Sequence, residues 1–293
     1  MKIGIPRSLY YYHYKDLWIN FFDYLNIDVI VSPETNKDIL DLGLKYSTDE
    51  MCLSLKNYIG HVAYLKDKCD YVLVPRIDNY GINNQTCTNF LASYDIINNM
   101  FDINILNYNI NLRNNETELK GFINIGNILG IDNKKIKDAY IYSKVKSSKT
   151  KKENILNNLK KLKSDKKKVL LVGHPYNIYD ELIGTPVIDL LKELNVEIIY
   201  SDLFFDKDES KKYTKELYWK YSKENISSIS KCIDKIDGII FLSSFPCGLD
   251  SLVNELVMRK LNKHYINIII DDNSISGGIE TRIESFVDII KCL

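Results

Sequence analysis

The feature that most constrains the fold is a regular alternation of short apolar runs with longer segments of helical periodicity. The run Tyr71–Pro75 is wholly apolar, which is typical of a strand buried in a parallel sheet. The segment Lys37–Tyr46, which Thr35 or Asn36 can cap, is one of the intervening helices. Further strands are predicted in both halves of the chain, at Lys2–Pro6, Asp28–Val31, Asn104–Tyr108, Val169–Gly173, Val196–Tyr200, Gly238–Leu242 and His264–Ile270. Because parallel strands need right-handed crossovers, the alternation predicts an α/β fold with two Rossmann-like, doubly wound lobes and parallel sheets.

The alternation is interrupted once, between Glu116 and Lys168, where the pattern is helical and increasingly basic. We therefore predict an N-terminal α/β lobe over residues 1–115, a helical connector over 116–168 and a C-terminal α/β lobe over 169–293. A run of charge of this kind is usually a solvated surface. The alternative is a face that docks a partner or nucleic acid.

Charge and hydropathy narrow the classes of partner. The formal net charge is zero, so no overall field attracts nucleic acid or an anionic membrane. No stretch approaches the roughly 20 apolar residues that a membrane span needs, and the first residues do not resemble a signal peptide. The sequence predicts a cytoplasmic protein that binds neither nucleic acid nor membrane.

Three of the six cysteines stand where the sequence pattern changes into a helix. Cys247 follows the apolar run Gly238–Leu242 and precedes an amphipathic helix, and Cys52 and Cys87 also come directly before helices. A helix N-terminus favours the thiolate, which is the form that binds metals, and Gly248 would let a bulky cluster approach the backbone. The other reading is that most lone cysteines are small buried hydrophobes, and for Cys69, Cys232 and Cys292 we predict a structural role and not a metal-binding one.

At these residues the chain resembles the 2-hydroxyacyl-CoA dehydratase D-component and its relatives, and most closely the activase-related branch described as CoA-protein activase. The resemblance covers most of both lobes. It is carried by short stretches in order: Lys2–Arg7, Asp49–Cys52, Val74–Arg76, Thr86–Leu91, Gly173–Asp180, Phe245–Ser251 and Gly278–Glu284.

The resemblance implies an iron–sulfur cluster, of four-iron (4Fe-4S) or double-cubane type, held by Cys52, Cys87 and Cys247. It implies that the chain is the electron-accepting component of a 2-hydroxyacyl-CoA dehydratase or double-cubane reductase type system, an enzyme component with a separate ATP-dependent activator as electron donor. The sequence has no GxxxxGK[ST] or GxGxxG phosphate loop, so we do not expect the chain itself to be an ATPase. Two alternatives stay open. One is a non-catalytic scaffold or maturation partner that pairs with a companion chain of the same family, and the other is a small-molecule binding protein with incidental cysteines.

Four further residues are candidates for the site. His174 directly follows a predicted strand and could act as an acid or base, or simply be a polar residue of the turn. Ser276 stands where we expect relatives to carry a Glu, so it marks the second candidate catalytic position. Arg76 and Arg282 could offset the charge of a cluster or bind a CoA phosphate, although ion pairs are an equal alternative for both.

Overall fold

The computed structural model describes residues 1–204, 208–272 and 278–292. The chain divides into two compact units, Met1–Lys151 (unit 1) and Lys152–Leu293 (unit 2). Each contains a four-stranded parallel sheet with flanking helices, which confirms the predicted α/β class with two Rossmann-like lobes. Among the described residues, no helix is both long and apolar enough to cross a membrane.

The sheet of unit 1 has the strand order β2-β1-β3-β4, with all neighbours parallel. Its strands are β1 (Lys2–Ile5), β2 (Asp28–Val31), β3 (Tyr71–Asn79) and β4 (Ile105–Asn111). The helices that connect or follow them are α1 (Tyr11–Tyr24), α2 (Lys37–Tyr46), α3 (Leu53–Leu65), α4 (Thr88–Met100), α5 (Glu118–Ile128) and α6 (Asn133–Lys161). The order reverses between β1 and β3, so the crevice of a doubly wound fold is expected beyond the carboxyl ends of these two strands.

An aromatic core stabilises unit 1. Trp18 and Phe21 on α1 are buried; the Trp18 ring stacks on Tyr14 with centroids 5.3 Å apart, and Phe21 lies 4.3 Å from Phe122 of α5. Large aromatic side chains of this kind contribute much of the apolar area that a core buries. The aromatic residues Tyr14, Trp18 and Phe21 recur at helical spacing in the sequence because they lie on the one side of α1 that is buried.

Helices α2 and α3 touch backbone to backbone through a pair of glycines. A Cβ added at Gly60 would overlap the carbonyl oxygen of Ile39, and one added at Gly43 would overlap the carbonyl oxygen of Lys56. Only hydrogen at these two Cα atoms permits so close an approach. The position of α3, and of the residue that precedes it, is therefore set by this contact.

Unit 2 repeats the strand order of unit 1, as β6-β5-β7-β8. Its strands are β5 (Lys168–Val172), β6 (Glu197–Tyr200), β7 (Gly238–Ser244) and β8 (Tyr265–Ile270). Its helices are α7 (Pro175–Ile178), α8 (Thr185–Glu193), α9 (Lys220–Cys232), α10 (Gly248–Met258) and α11 (Ile279–Lys291). Leu170 and Phe241 from the sheet pack with Ile226 of α9 and Val253 of α10 in one buried cluster. The central strand β7 is buried along its whole length.

Candidate functional site

Two thiols of unit 1 occupy the residue immediately before a helix. Cys52 is the N-cap of α3 and Cys87 the N-cap of α4, both with extended backbone and neither accepting a side-chain capping hydrogen bond. Both are half-buried. The Asn89 amide Nδ2 donates to Cys52 Sγ over 3.5 Å, so the starts of the two helices are neighbours. The structure thus brings the first-lobe thiols into one region, at two helix ends that favour a thiolate.

A polar network fixes the loop that leads to Cys87. The side chain of the fully buried Asn79 donates to Asn111 Oδ1 over 2.8 Å and accepts the backbone N–H of Gly81 over 3.1 Å. Asn111 donates to Asp78 over 2.7 Å, and the Thr86 hydroxyl donates to the carbonyl of Ile77 over 2.5 Å. Buried polar groups satisfied in this way rigidify a segment. The thiol of Cys87 is presented from a well-anchored loop.

A buried phenol lies next to this region. The Tyr10 hydroxyl donates to the carbonyl of Ile77 over 3.2 Å, and its ring lies 4.3 Å from that of Phe90. Burial raises the pKa of Tyr10 well above its usual range, and the neighbouring Tyr80 and Cys87 raise it further. Tyr10 is therefore a neutral hydrogen-bond donor at physiological pH. Tyr10 is the first residue of the run Tyr10-Tyr11-Tyr12, which in the sequence is typical of half-buried packing and does not mark a site residue.

Unit 2 contains a polar cluster around Cys247, the N-cap of α10. The thiol accepts the backbone N–H of Asp250 over 3.4 Å, and the carboxylate of Asp250 lies 2.9 Å from His174 Nε2. His174 and Asp250 are 4% and 6% exposed, so this is a buried pair, and the imidazole also stacks on Tyr176 with centroids 4.9 Å apart. A carboxylate on one ring nitrogen fixes the tautomer and orientation of a histidine.

The sequence indicated His174 but not its partner. Asp250 stands at the third position of α10, a place where an acidic residue commonly serves the helix N-terminus. That position was a signal for a capping role, whereas its bond to a residue 76 positions away is visible only in the fold. An added Cβ at Gly248 would meet no atom within 4 Å, so the surface at the start of α10 is open.

The remaining candidates are engaged within their own units or lie outside the described residues. Arg76 Nη2 is 2.5 Å from the Asp95 carboxylate, with its guanidinium 4.7 Å from the Tyr94 ring centroid. Arg282 donates to the carbonyl of Asn267 over 2.6 Å. Both arginines therefore join a helix to a strand within their own unit, and their binding of a cluster or a CoA phosphate stays a prediction. Ser276 lies outside the described residues.

A known protein family matches more than half of the chain. Residues 2–204 match the family model of the CoA enzyme activase uncharacterised domain (DUF2229). The matched segment includes unit 1 from Lys2 onward and, in unit 2, the strands β5 and β6. No curated protein matches the chain.

The match corrects the function expected from the sequence. An activase domain indicates an activator, not the iron–sulfur component that the activator serves. In addition, within residues 1–204, 208–272 and 278–292 no three or more His, Cys, Asp or Glu side chains are grouped as a metal ion requires. The expected role as an electron-accepting iron–sulfur component of a dehydratase or double-cubane system is therefore wrong. The thiols were correctly located at helix starts, but their position alone did not identify a cluster, and the cluster as a cofactor stays a prediction.

Proposed function

Because the chain belongs to the family of the CoA enzyme activase uncharacterised domain, we propose that it activates an enzyme that acts on a coenzyme A thioester, by binding a protein partner. The observation that supports this most is the extent of the match, which includes unit 1 from Lys2 onward with the thiols of both N-cap cysteines. Family membership itself suggests a protein partner. The resemblance to the D-component relatives supports a finer assignment, in which the activated enzyme is of the 2-hydroxyacyl-CoA dehydratase class.

The surface near the thiols of unit 1 suits contact with a protein. Ile82, in the anchored loop before Cys87, is 80% exposed, and Leu91, one turn after Cys87 on α4, is 41% exposed. Exposed apolar side chains on an anchored loop and on the helix that follows it are the kind of residue that fills a pocket on a partner. The half-buried thiols beside them would then be covered by the partner, in an environment that a helix N-terminus makes favourable for a thiolate.

The energy for activation would come from a separate protein. The sequence lacks the phosphate-binding loops named above, and ATP hydrolysis would come from a separate ATPase that works with this chain in the cytoplasm. The role of the present chain would be to present unit 1 to the CoA enzyme. Its contribution is then a specific contact and not a nucleotide site.

An activation assay tests the proposal. The affinity-tagged chain is used to capture its partner anaerobically from native extract, and the partner is then eluted free of the chain. Its turnover of 2-hydroxyacyl-CoA substrates is measured with ATP, the ATPase fraction of the same extract and increasing amounts of added chain. We expect the rate to rise and to saturate at stoichiometric amounts. The Cys52→Ser/Cys87→Ser variant should activate less, whereas Cys292→Ser, at an exposed position, should activate like the wild type. A rate that does not change with added wild-type chain would overturn the proposal.

A further inference from the structure

The charge of this chain is strongly segregated. Helix α6 carries ten lysines and only two acidic residues, a net charge of +8. Because the formal net charge of the whole chain is zero, the remaining residues together carry −8. A separation of this size creates a local field that the overall neutrality conceals.

The same helix exposes large apolar side chains along one side. Ile141 and Val145 are one turn apart and are 60% and 67% exposed. Leu156, further along α6, is 57% exposed. The opposite side of the helix is occupied, since Ile136, Ala139 and Ser143 are fully buried and the Tyr140 hydroxyl donates to Glu118 over 2.9 Å.

Lysines flank the exposed apolar pair. Lys137 lies one turn before Ile141 and Lys149 one turn after Val145, which places all four on one side of the helix. Both lysines are exposed, and neither forms an ion pair within the part of the chain that the structure describes. We call the surface formed by Lys137, Ile141, Val145 and Lys149 the α6 face.

We propose that the α6 face binds an acidic amphipathic helix of a protein partner; this rests on the proposed function for the existence of that partner. Branched apolar side chains at the centre of the face lose contact with water only when an apolar surface covers them. The surrounding lysines are complementary to Glu and Asp at the edges of such a helix, and they would accelerate its association. The sequence left this segment open between a solvated connector and a docking face, and the exposed apolar pair favours docking.

Two other classes of partner fit the α6 face less well. The outer surface of duplex nucleic acid is mostly phosphate and sugar, so it would pair with the lysines but would bury little of an isoleucine and a valine. A membrane would require a continuous apolar stripe, but the eleven residues from Val145 to Leu156, about 16 Å of helix, include Ser148, Lys149 and Lys152 on the same side. A protein helix with its own alternating pattern matches an interrupted surface of this kind.

Binding of a defined probe tests this directly. The probe is a fluorescein-labelled synthetic helix with Leu along one side and Glu elsewhere, and a scrambled peptide of equal composition is its control. We expect the full chain to bind the probe by fluorescence anisotropy and to bind the scrambled peptide much more weakly. The Ile141→Ser/Val145→Ser variant should weaken binding by about tenfold or more, with an unchanged circular dichroism spectrum and melting temperature.

Two double variants with the same change in net charge distinguish specific binding at the α6 face from nonspecific attraction between opposite charges. Lys137→Glu/Lys149→Glu should abolish binding of the probe, while Lys211→Glu/Lys215→Glu, with the same change in net charge, should leave it intact. Equal loss in both variants, or equal binding of the scrambled peptide, would overturn the proposal. Complete displacement of the probe by duplex RNA or anionic vesicles, or self-association through this face in sedimentation, would assign it to another occupant. Because the probe assay contains no CoA enzyme, its outcome is independent of the activation assay.

Discussion

Replacing the capping thiols of unit 1 by serine should make the protein more stable. Cys52 and Cys87 already have the extended backbone of an N-cap, with φ and ψ of −66° and 149° and of −72° and 160°, yet neither thiol accepts a capping hydrogen bond. A serine hydroxyl accepts the N–H of the second or third helical residue, and a good cap is worth about 1 kcal/mol. We therefore expect Cys52→Ser and Cys87→Ser each to raise the free energy of unfolding by about 1 kcal/mol, and the double variant by about 2 kcal/mol if the effects add.

The unfolding of unit 1 can be measured separately from that of unit 2. Trp18 is buried in unit 1, and in a Trp219→Phe background its fluorescence reports on unit 1 alone during urea unfolding. With a typical urea dependence of about 2 kcal/mol per molar, the double variant should shift the midpoint upward by about 1 M. Cys52→Ala and Cys87→Ala, which remove the thiol without adding a cap, should show no such gain.

Cys247 provides the internal comparison. Its thiol already accepts the N–H of Asp250, so Cys247→Ser should gain less than either replacement in unit 1. The reasoning is refuted if serine at positions 52 and 87 leaves the midpoint unchanged or lowers it, or if Cys247→Ser gives the largest increase. Confirmation would mean that unit 1 forgoes stability at two helix starts in order to retain thiols there, as expected for residues kept for function.

Three other outcomes follow from the packing. Gly60→Ala should lower the melting temperature, because the added methyl overlaps a backbone carbonyl and overpacking costs about 1–3 kcal/mol, whereas Gly248→Ala, which meets no atom within 4 Å, should change it little; equal effects would contradict the close contact of α2 and α3. Burial lowers the pKa of His61 from 6.5 to about 3, so between these two pH values the unfolded chain binds a proton that the folded chain does not. The folded state is therefore most stable above pH 6.5, and acidification from pH 7 to pH 5 should lower the free energy of unfolding by about 2 kcal/mol. The His61→Gln variant should show a smaller change in urea midpoint than the wild type over that interval. Burial also raises the pKa of Cys232 to about 12, so iodoacetamide at pH 8 should label the exposed Cys292 well before it in mass spectra of the native protein, and equal labelling would refute this.

The strand and helix pattern of the sequence predicted much of the fold because it reflects local periodicity. Asp28–Val31 is β2 and Lys37–Tyr46 is α2, with Asn36 as the cap that accepts the N–H of Ile39 over 3.0 Å. Strand β3, however, was expected to end at Pro75 and continues to Asn79. In the described part of the sheet, β1 pairs with β3 at Tyr71 and Val72, whereas Pro75 lies beyond this pairing and opposite Tyr108 of β4. A proline without an N–H is tolerated at such a position.

The candidate site was less accessible to sequence reasoning, because its contacts join distant positions. The starts of α3 and α4 were indicated by the change in pattern at Cys52 and Cys87. Their proximity through Asn89, and the bond between His174 and Asp250, depend on tertiary packing that no local pattern encodes. The expected iron–sulfur function went wrong at the next step, since a thiol at a helix start is compatible with several kinds of chemistry.

The shared strand order of the two units makes the chain an internal pseudo-repeat. Under the correspondence of β1 with β5 and of β3 with β7, Cys87 and Cys247 both precede the helix that follows the third strand of their sheet. The family match ends at residue 204, before Cys247. Because Cys87 and Cys247 hold corresponding positions in the two sheets, chemistry established for Cys87 can be tested next at Cys247, which lies outside the matched residues.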